Sequence, residues 1–164
     1  MEGTIQGKPV RESAYEYSEL ALPNDSNGLG NVLGGKVMHL VDLAAAIAGL
    51  RHARTPVVTA SVDHLDFLHP VHVGELIMLR ASVNRVFRTS MEIGVKVTTE
   101  KLLNGERVHT CSAYLTFVAI DANGKAIPII PVIPETDEEK RRYRQAGERR
   151  DARLALRRKL KADT

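Results

Sequence analysis

One stretch constrains this chain more than any other: Gly35 to His52, where apolar residues fall on nearly every side of a helical wheel. It is rich in Ala and Leu and holds no proline and no cluster of β-branched residues. The pattern predicts a helix of about 18 residues, roughly 27 Å long. Val37, Met38, Leu40, Val41, Leu43, Ile47 and Leu50 leave it no fully polar face. A helix of that kind belongs in a core rather than on a wet surface. Thr55-Pro56 bars its continuation.

What surrounds it reads as strand. Tyr15 to Leu22 is a first strand closed by Pro23, and residues 23–34 form a long loop rich in Asn, Gly, Asp and Ser. After the helix come Val57 to Leu68, Glu75 to Phe87, Ser90 to Glu100 and Val108 to Ile120. The third of these alternates cleanly, with Met91, Ile93, Val95 and Val97 on one face and Glu92, Lys96 and Thr98 on the other, the period of an antiparallel strand half buried. Asn104-Gly105 is a hairpin signal. The order of one strand, one buried helix and four long strands gives an α+β fold in which an antiparallel sheet wraps the helix. Residues 1–13 read as a loose leader, 14–134 as the body, and 135–164 as a charged helix and tail capped by Thr136. Its thin apolar face (Tyr143, Ala146, Leu154, Leu156, Leu160) predicts weak docking, on this chain or on another subunit.

Composition narrows the class. Of the 23 Lys and Arg, 11 lie in residues 134–164 together with 7 of the 20 Asp and Glu, so the body is slightly acidic and the tail basic. Such a tail most often is a solvated helix face. With 4% aromatics and no Trp, a nucleic-acid partner is not expected. No apolar run is long enough to span a bilayer. The start of the chain lacks signal-peptide character and Cys111 stands alone, which points to a cytoplasmic setting.

Asp42 is the residue most in need of explanation, a carboxylate among Leu40, Val41, Leu43, Ala44, Ala45 and Ala46. Such a group is costly to bury unless it is paired, and it suits a general base or a nucleophile. A structural pairing with His39, one turn earlier, accounts for it equally well. Gly34-Gly35 leaves the helix start bare, so that its N–H groups can meet an oxyanion or a phosphate; a flexible turn is the plainer reading. Asn31, in the loop, can donate to a carbonyl or hold a water, though Asn is common in turns. His64, His69 and His72 lack metal-ligand spacing, so no metal is expected. Cys111 reads as a core residue, and no Gly-x-Ser-x-Gly elbow is present. The glycines of residues 28–34 miss the dinucleotide fingerprint by one position.

The run Gly30-Asn31-Val32-Leu33-Gly34-Gly35-Lys36-Val37-Met38-His39-Leu40-Val41-Asp42 resembles the signature of hotdog-fold acyl-CoA thioesterases, in the branch of the cytosolic acyl-CoA hydrolases and their YciA-like bacterial relatives. Asp66-Phe67-Leu68-His69-Pro70-Val71, followed by Val73-Gly74-Glu75, continues the likeness, as do Arg88-Thr89-Ser90-Met91 and the basic run at Lys140. Leu33 departs from it, standing where relatives often carry His or Phe. The resemblance implies a hotdog fold, a dimer joined edge to edge, and a trimer of dimers. It implies hydrolysis of acyl-CoA to a fatty acid and coenzyme A with no cofactor, Asp42 matching the catalytic aspartate and Asn31 the asparagine from the opposing subunit. Gly34, Gly35, His39 and Ala46 would then line the thioester, with the acyl chain passing Ala45, Ala46 and Gly49. Arg88, Thr89 and Ser90 are candidates for the coenzyme A phosphates. The rivals are a hotdog dehydratase using His39 and a non-catalytic acyl-CoA-binding module.

Overall fold

The computed structural model describes residues 6–162. In chain order its elements are β1 (Lys8–Pro9), β2 (Tyr15–Leu20), helix α1 (Gly34–Ala53), β3 (Val57–Phe67), β4 (Leu76–Val86), β5 (Ser90–Lys101), β6 (Glu106–Ala119), β7 (Val132–Ile133) and helix α2 (Asp137–Ala162). β2, β4, β5, β6 and β3 form, in that order, one antiparallel five-stranded sheet. α1 lies against its inner face. The expected elements are present, each within a few residues of its expected bounds.

The alternation in β5 works as expected on the inner side: Met91, Ile93, Val95 and Val97 are all buried. They meet Val37, Leu40, Val41, Ala44, Ala45 and Ala48 of α1 in one core. Small side chains let helix and sheet approach closely. A Cβ on Gly49 would stand 3.0 Å from both Ile93 Cδ1 and Met91 Cε. Ala45 and Gly49 are buried in this helix–sheet contact. α1 ends where Arg54 turns left-handed (φ 55°) and its N–H closes on Leu50 O, just before Pro56.

Two expectations need correction. Residues 8–13 are not loose: β1 pairs in parallel with β7, Val10 is in the core, and Ser13 is buried with its hydroxyl donating to Val10 O and accepting from Val83 N–H. Residues 1–5 of that leader lie outside the described residues. Nor is α1 buried all round. Met38, Leu43 and Leu50 remain 44–47% exposed along one side. Beside this open face runs β3, the last strand of the sheet, 11 residues long, with Val58, Val62 and Phe67 also exposed. A long apolar strand edge with no neighbour among the described residues is a template for pairing.

α2 packs on the outer face of the same sheet, and charge does much of the holding. Glu92 does face outward, as the alternation requires, yet it is 1% exposed because α2 covers it. Arg149 grips both its carboxylate oxygens, at 3.0 and 2.6 Å, Asn84 donates to it at 3.0 Å, and the guanidinium lies 3.7 Å over the ring of Tyr114. Arg153 reaches Asp63 and Thr116. Docking is thus firm from the start of α2 to Arg153. The helix opens on a capping box: Glu139 N–H donates to Thr136 Oγ1 and Thr136 N–H to Glu139 Oε2, both at 3.1 Å.

Candidate active site

Asp42 sits in the middle of α1 on the side that the sheet leaves open, half-buried. Its Oδ1 accepts a hydrogen bond of 2.7 Å from the Thr59 hydroxyl. The structural pairing with His39 is not what holds it; His39 is exposed. Thr59 is brought there by β3, whose register shifts between Thr59 and Ser61 and again between Val62 and His64. A hydroxyl donor steadies a carboxylate without neutralising it, and the second oxygen stays available. Thr59 was not singled out in the sequence. The one signal was a polar side chain inside a β-branched run.

At the start of α1, Lys36 and Val37 N–H turn back to Leu33 O, so the N–H groups of Gly34 and Gly35 remain at the exposed end. A Cβ on Gly35 would meet nothing within 4 Å, whereas one on Gly34 would touch Phe67. The preceding loop is stitched down. Asn31 forms an antiparallel bridge with His72, and Val32 N–H donates to Val71 O. Asn27 is its organiser: Oδ1 accepts from Leu29 N–H (2.9 Å) and Asn31 N–H (3.2 Å), which leaves its amide nitrogen as a donor. Lys36 Nζ is held by Glu19 at 2.9 Å and reaches Asp25 at 3.6 Å.

Distance along α1 then decides the geometry. Gly35 and Asp42 are seven residues apart on one straight helix, so about 10 Å separates them. One chain cannot set both against the same small group.

The Arg88-Thr89-Ser90 turn, between β4 and β5, lies at the Asp42 end of the sheet: Ser90 pairs with Val118, which pairs with Val58 beside Thr59. Arg88 is exposed there, and the backbone of the turn is fixed by Ile129 N–H on Arg88 O and Ala119 N–H on Thr89 O. Ala46 is half-buried on α1, one turn beyond Asp42. His64 pairs with Asp66 and His72 with Glu75, each at 2.6 Å, and His69 shares with His72 and Glu75 a small pocket of about 260 Å³. Burial pushes the Cys111 thiol up to about 11, unfit for a nucleophile at neutral pH.

The family model of the thioesterase superfamily matches residues 29–105. The Bacillus subtilis protein YkhA, described as an uncharacterized acyl-CoA thioester hydrolase, is 40% identical over 136 residues, 83% of this chain and 79% of its own. A crystal structure of an apo-hexameric acyl-CoA thioesterase superposes with a TM-score of 0.90 at 42% identity, over 92% of this chain and 97% of the other. The acyl-CoA hydrolase of Staphylococcus aureus, solved with butyryl coenzyme A and coenzyme A, does so with a TM-score of 0.88 at 35% identity over 95% of both chains. Variants of that enzyme with an aspartate, a threonine or an asparagine changed to alanine have also been solved.

Proposed function

The chain belongs to the thioesterase superfamily, and from that membership we infer that it hydrolyses acyl-CoA thioesters to a carboxylic acid and coenzyme A. It is an acyl-CoA thioester hydrolase with the hotdog fold, a helix wrapped by an antiparallel sheet. The observation that carries the chemistry is Asp42, a carboxylate on an apolar helix, steadied by Thr59 and left open on the uncovered side.

Two copies paired along β3 place the open face of one α1 toward the other, covering Met38, Leu43 and Leu50. The thioester then lies between the Gly35 N–H of one copy and Asp42 of the next. Asp42 takes a proton from a water whose oxygen attacks the carbonyl carbon. The oxyanion that forms is held by the helix N-terminus at Gly35. Collapse expels the coenzyme A thiolate, which recovers a proton. In the alternative course Asp42 attacks directly, and water hydrolyses the resulting anhydride. Either course consumes only water, so coenzyme A enters as part of the substrate. Arg88, Thr89 and Ser90 suit the phosphates as an exposed basic and hydroxyl turn at the same end of the sheet.

The donor from the opposing loop is an asparagine, expected at Asn31. Spacing favours Asn27 instead. In the Staphylococcus aureus enzyme the altered asparagine precedes the altered aspartate by fifteen residues and the altered threonine follows it by seventeen, the spacing of Asn27, Asp42 and Thr59 here. Asn27→Asp keeps the oxygen that organises the loop and removes the amide donor. It should cost turnover more than Asn31→Ala does. The apo-hexameric neighbour supports a trimer of dimers, and the lone buried cysteine supports a cytoplasmic setting. His39, on which the dehydratase reading leaned, is exposed and does not hold Asp42.

The test is free-thiol release from a panel of acyl-CoA chain lengths. Wild type should turn over at least one, and Asp42→Ala should lose it while the assembly survives. An Asp42→Ala protein that keeps wild-type rates removes the mechanism.

A further inference from the structure

Helix α2 crosses the outer face of the sheet strand by strand. Tyr143 and Gly147 lie against Arg85 of β4, Arg149 meets Glu92 of β5 and Tyr114 of β6, and Arg153 meets Thr116 of β6 and Asp63 of β3. Ten residues of helix from Tyr143 to Arg153 rise about 15 Å, and three strand spacings from β4 to β3 span about 14 Å. The helix therefore runs across the strands and reaches the open edge at Arg153. It continues to Ala162, a further 13 Å or so. Leu156 still lies over β3, and the residues after it project past the edge.

What projects is two-faced. Leu156 is 58% and Leu160 60% exposed. Residues 152–162 carry Arg153, Arg157, Arg158, Lys159 and Lys161 and no acid, whereas the described acids of α2 all lie at or before Asp151. Between α2 and β3 runs a groove of about 610 Å³, floored by Ser61 to His64 and walled by Tyr114, Ala152 and Leu156.

We propose that the end of α2 is a clasp for a second copy of this chain: it crosses the seam between two β3 edges and lies antiparallel along the other copy's α2, with Leu156 closing the groove. The inference rests on the edge pairing under the proposed function. Two identical antiparallel strands have their two-fold axis near mid-strand when they pair in full register. α2 crosses β3 at residues 61–64, the middle of Val57–Phe67, so both helices pass close to that axis and meet there.

Cys111 is the only cysteine and is buried, so Leu156→Cys adds the one accessible thiol. Mild oxidation should turn it into a disulfide-linked dimer, while Arg144→Cys, at the far end of α2, stays monomeric on a denaturing gel. Deleting residues 154–164, which leaves Arg149 and Arg153 in place, should raise the dimer dissociation constant in analytical ultracentrifugation at least about tenfold. A full-length chain that stays monomeric overturns the edge pairing and the clasp with it. A dimer indifferent to the deletion, with Leu156→Cys no faster to cross-link than Arg144→Cys, overturns the clasp alone.

Discussion

The two long helices of this protein have the same backbone and opposite chemistry. α1 is seated by shape: Ala44, Ala45, Ala48 and Gly49 let it sink onto the sheet, and its one charged residue in the middle, Asp42, is kept for use. α2 is seated largely by charged points, Arg149 on Glu92 and Arg153 on Asp63, with Ala146 its one fully buried residue. The difference shows how one sheet can hold a helix on each face. The inner face demands close fit and leaves a functional carboxylate free. The outer face tolerates a loose fit because a few ion pairs fix the register.

The sharpest contrast is between their carboxylates. Asp42→Asn should lower the turnover of acyl-CoA by about 10²- to 10⁴-fold and leave the thermal midpoint nearly unchanged. Its structural bond from Thr59 can still form. Glu92 should behave the other way round. Arg149→Ala strands Glu92, 1% exposed, with Asn84 as its remaining partner, and should cost about 3–5 kcal/mol in urea denaturation. Replacing Glu92 and Arg149 together by Met should recover most of that loss. If the double replacement is no better than the single, α2 is not held by this pair.

A glycine on each helix sharpens the comparison at lower amplitude. Gly49→Val forces a branched side chain between Met91 and Ile93, both 0% exposed, and should cost about 1–3 kcal/mol. Gly147→Ala meets only the end of the flexible Arg85 side chain and gains helix propensity, so it should stay within about 1 kcal/mol of wild type. Equal costs at the two sites would mean that the inner and outer faces are packed alike.

The smallest effect concerns the end of α1. His52 is buried, its Nε2–H donates to Ile130 O at 2.8 Å, and Nδ1 has no partner among the described residues. Burial holds its pKa below the ordinary histidine value. As pH falls through about 6.5 the unfolded chain takes up a proton that the folded chain refuses, so stability should decline below that pH and level off above it. His52→Gln should flatten this part of the profile of melting temperature against pH.

Much of this was legible from the residues alone. The all-round apolar helix, the four long strands and the isolated Asp42 sufficed to expect a wrapped helix with a carboxylate at work in it. What the sequence hid has physical causes. Glu92 reads as a solvent-facing residue because a strand pattern cannot show that a distant helix will cover it. The leader, residues 8–13, carries little apolar signal, since Val10 alone anchors it in the core. The exposed side of α1 is unreadable because a sequence pattern does not tell an apolar face that the chain's own core covers from one that it leaves open. Asn27 and Asn31 are both loop asparagines of one short stretch, and only the side-chain hydrogen bonds tell the organiser from its neighbour.

The central claim is that hydrolysis needs Asp42 of one copy and the loop and helix start of another. Subunit complementation tests it directly. Asp42→Ala and Asn27→Asp proteins, each inactive, are unfolded, mixed in equal amounts and refolded, with hybrid formation checked by native mass spectrometry. Half of the dimers are then hybrids with one intact site out of two, so thiol release should return to about one quarter of wild type. Verified hybrids that remain as inactive as their parents would contradict the account.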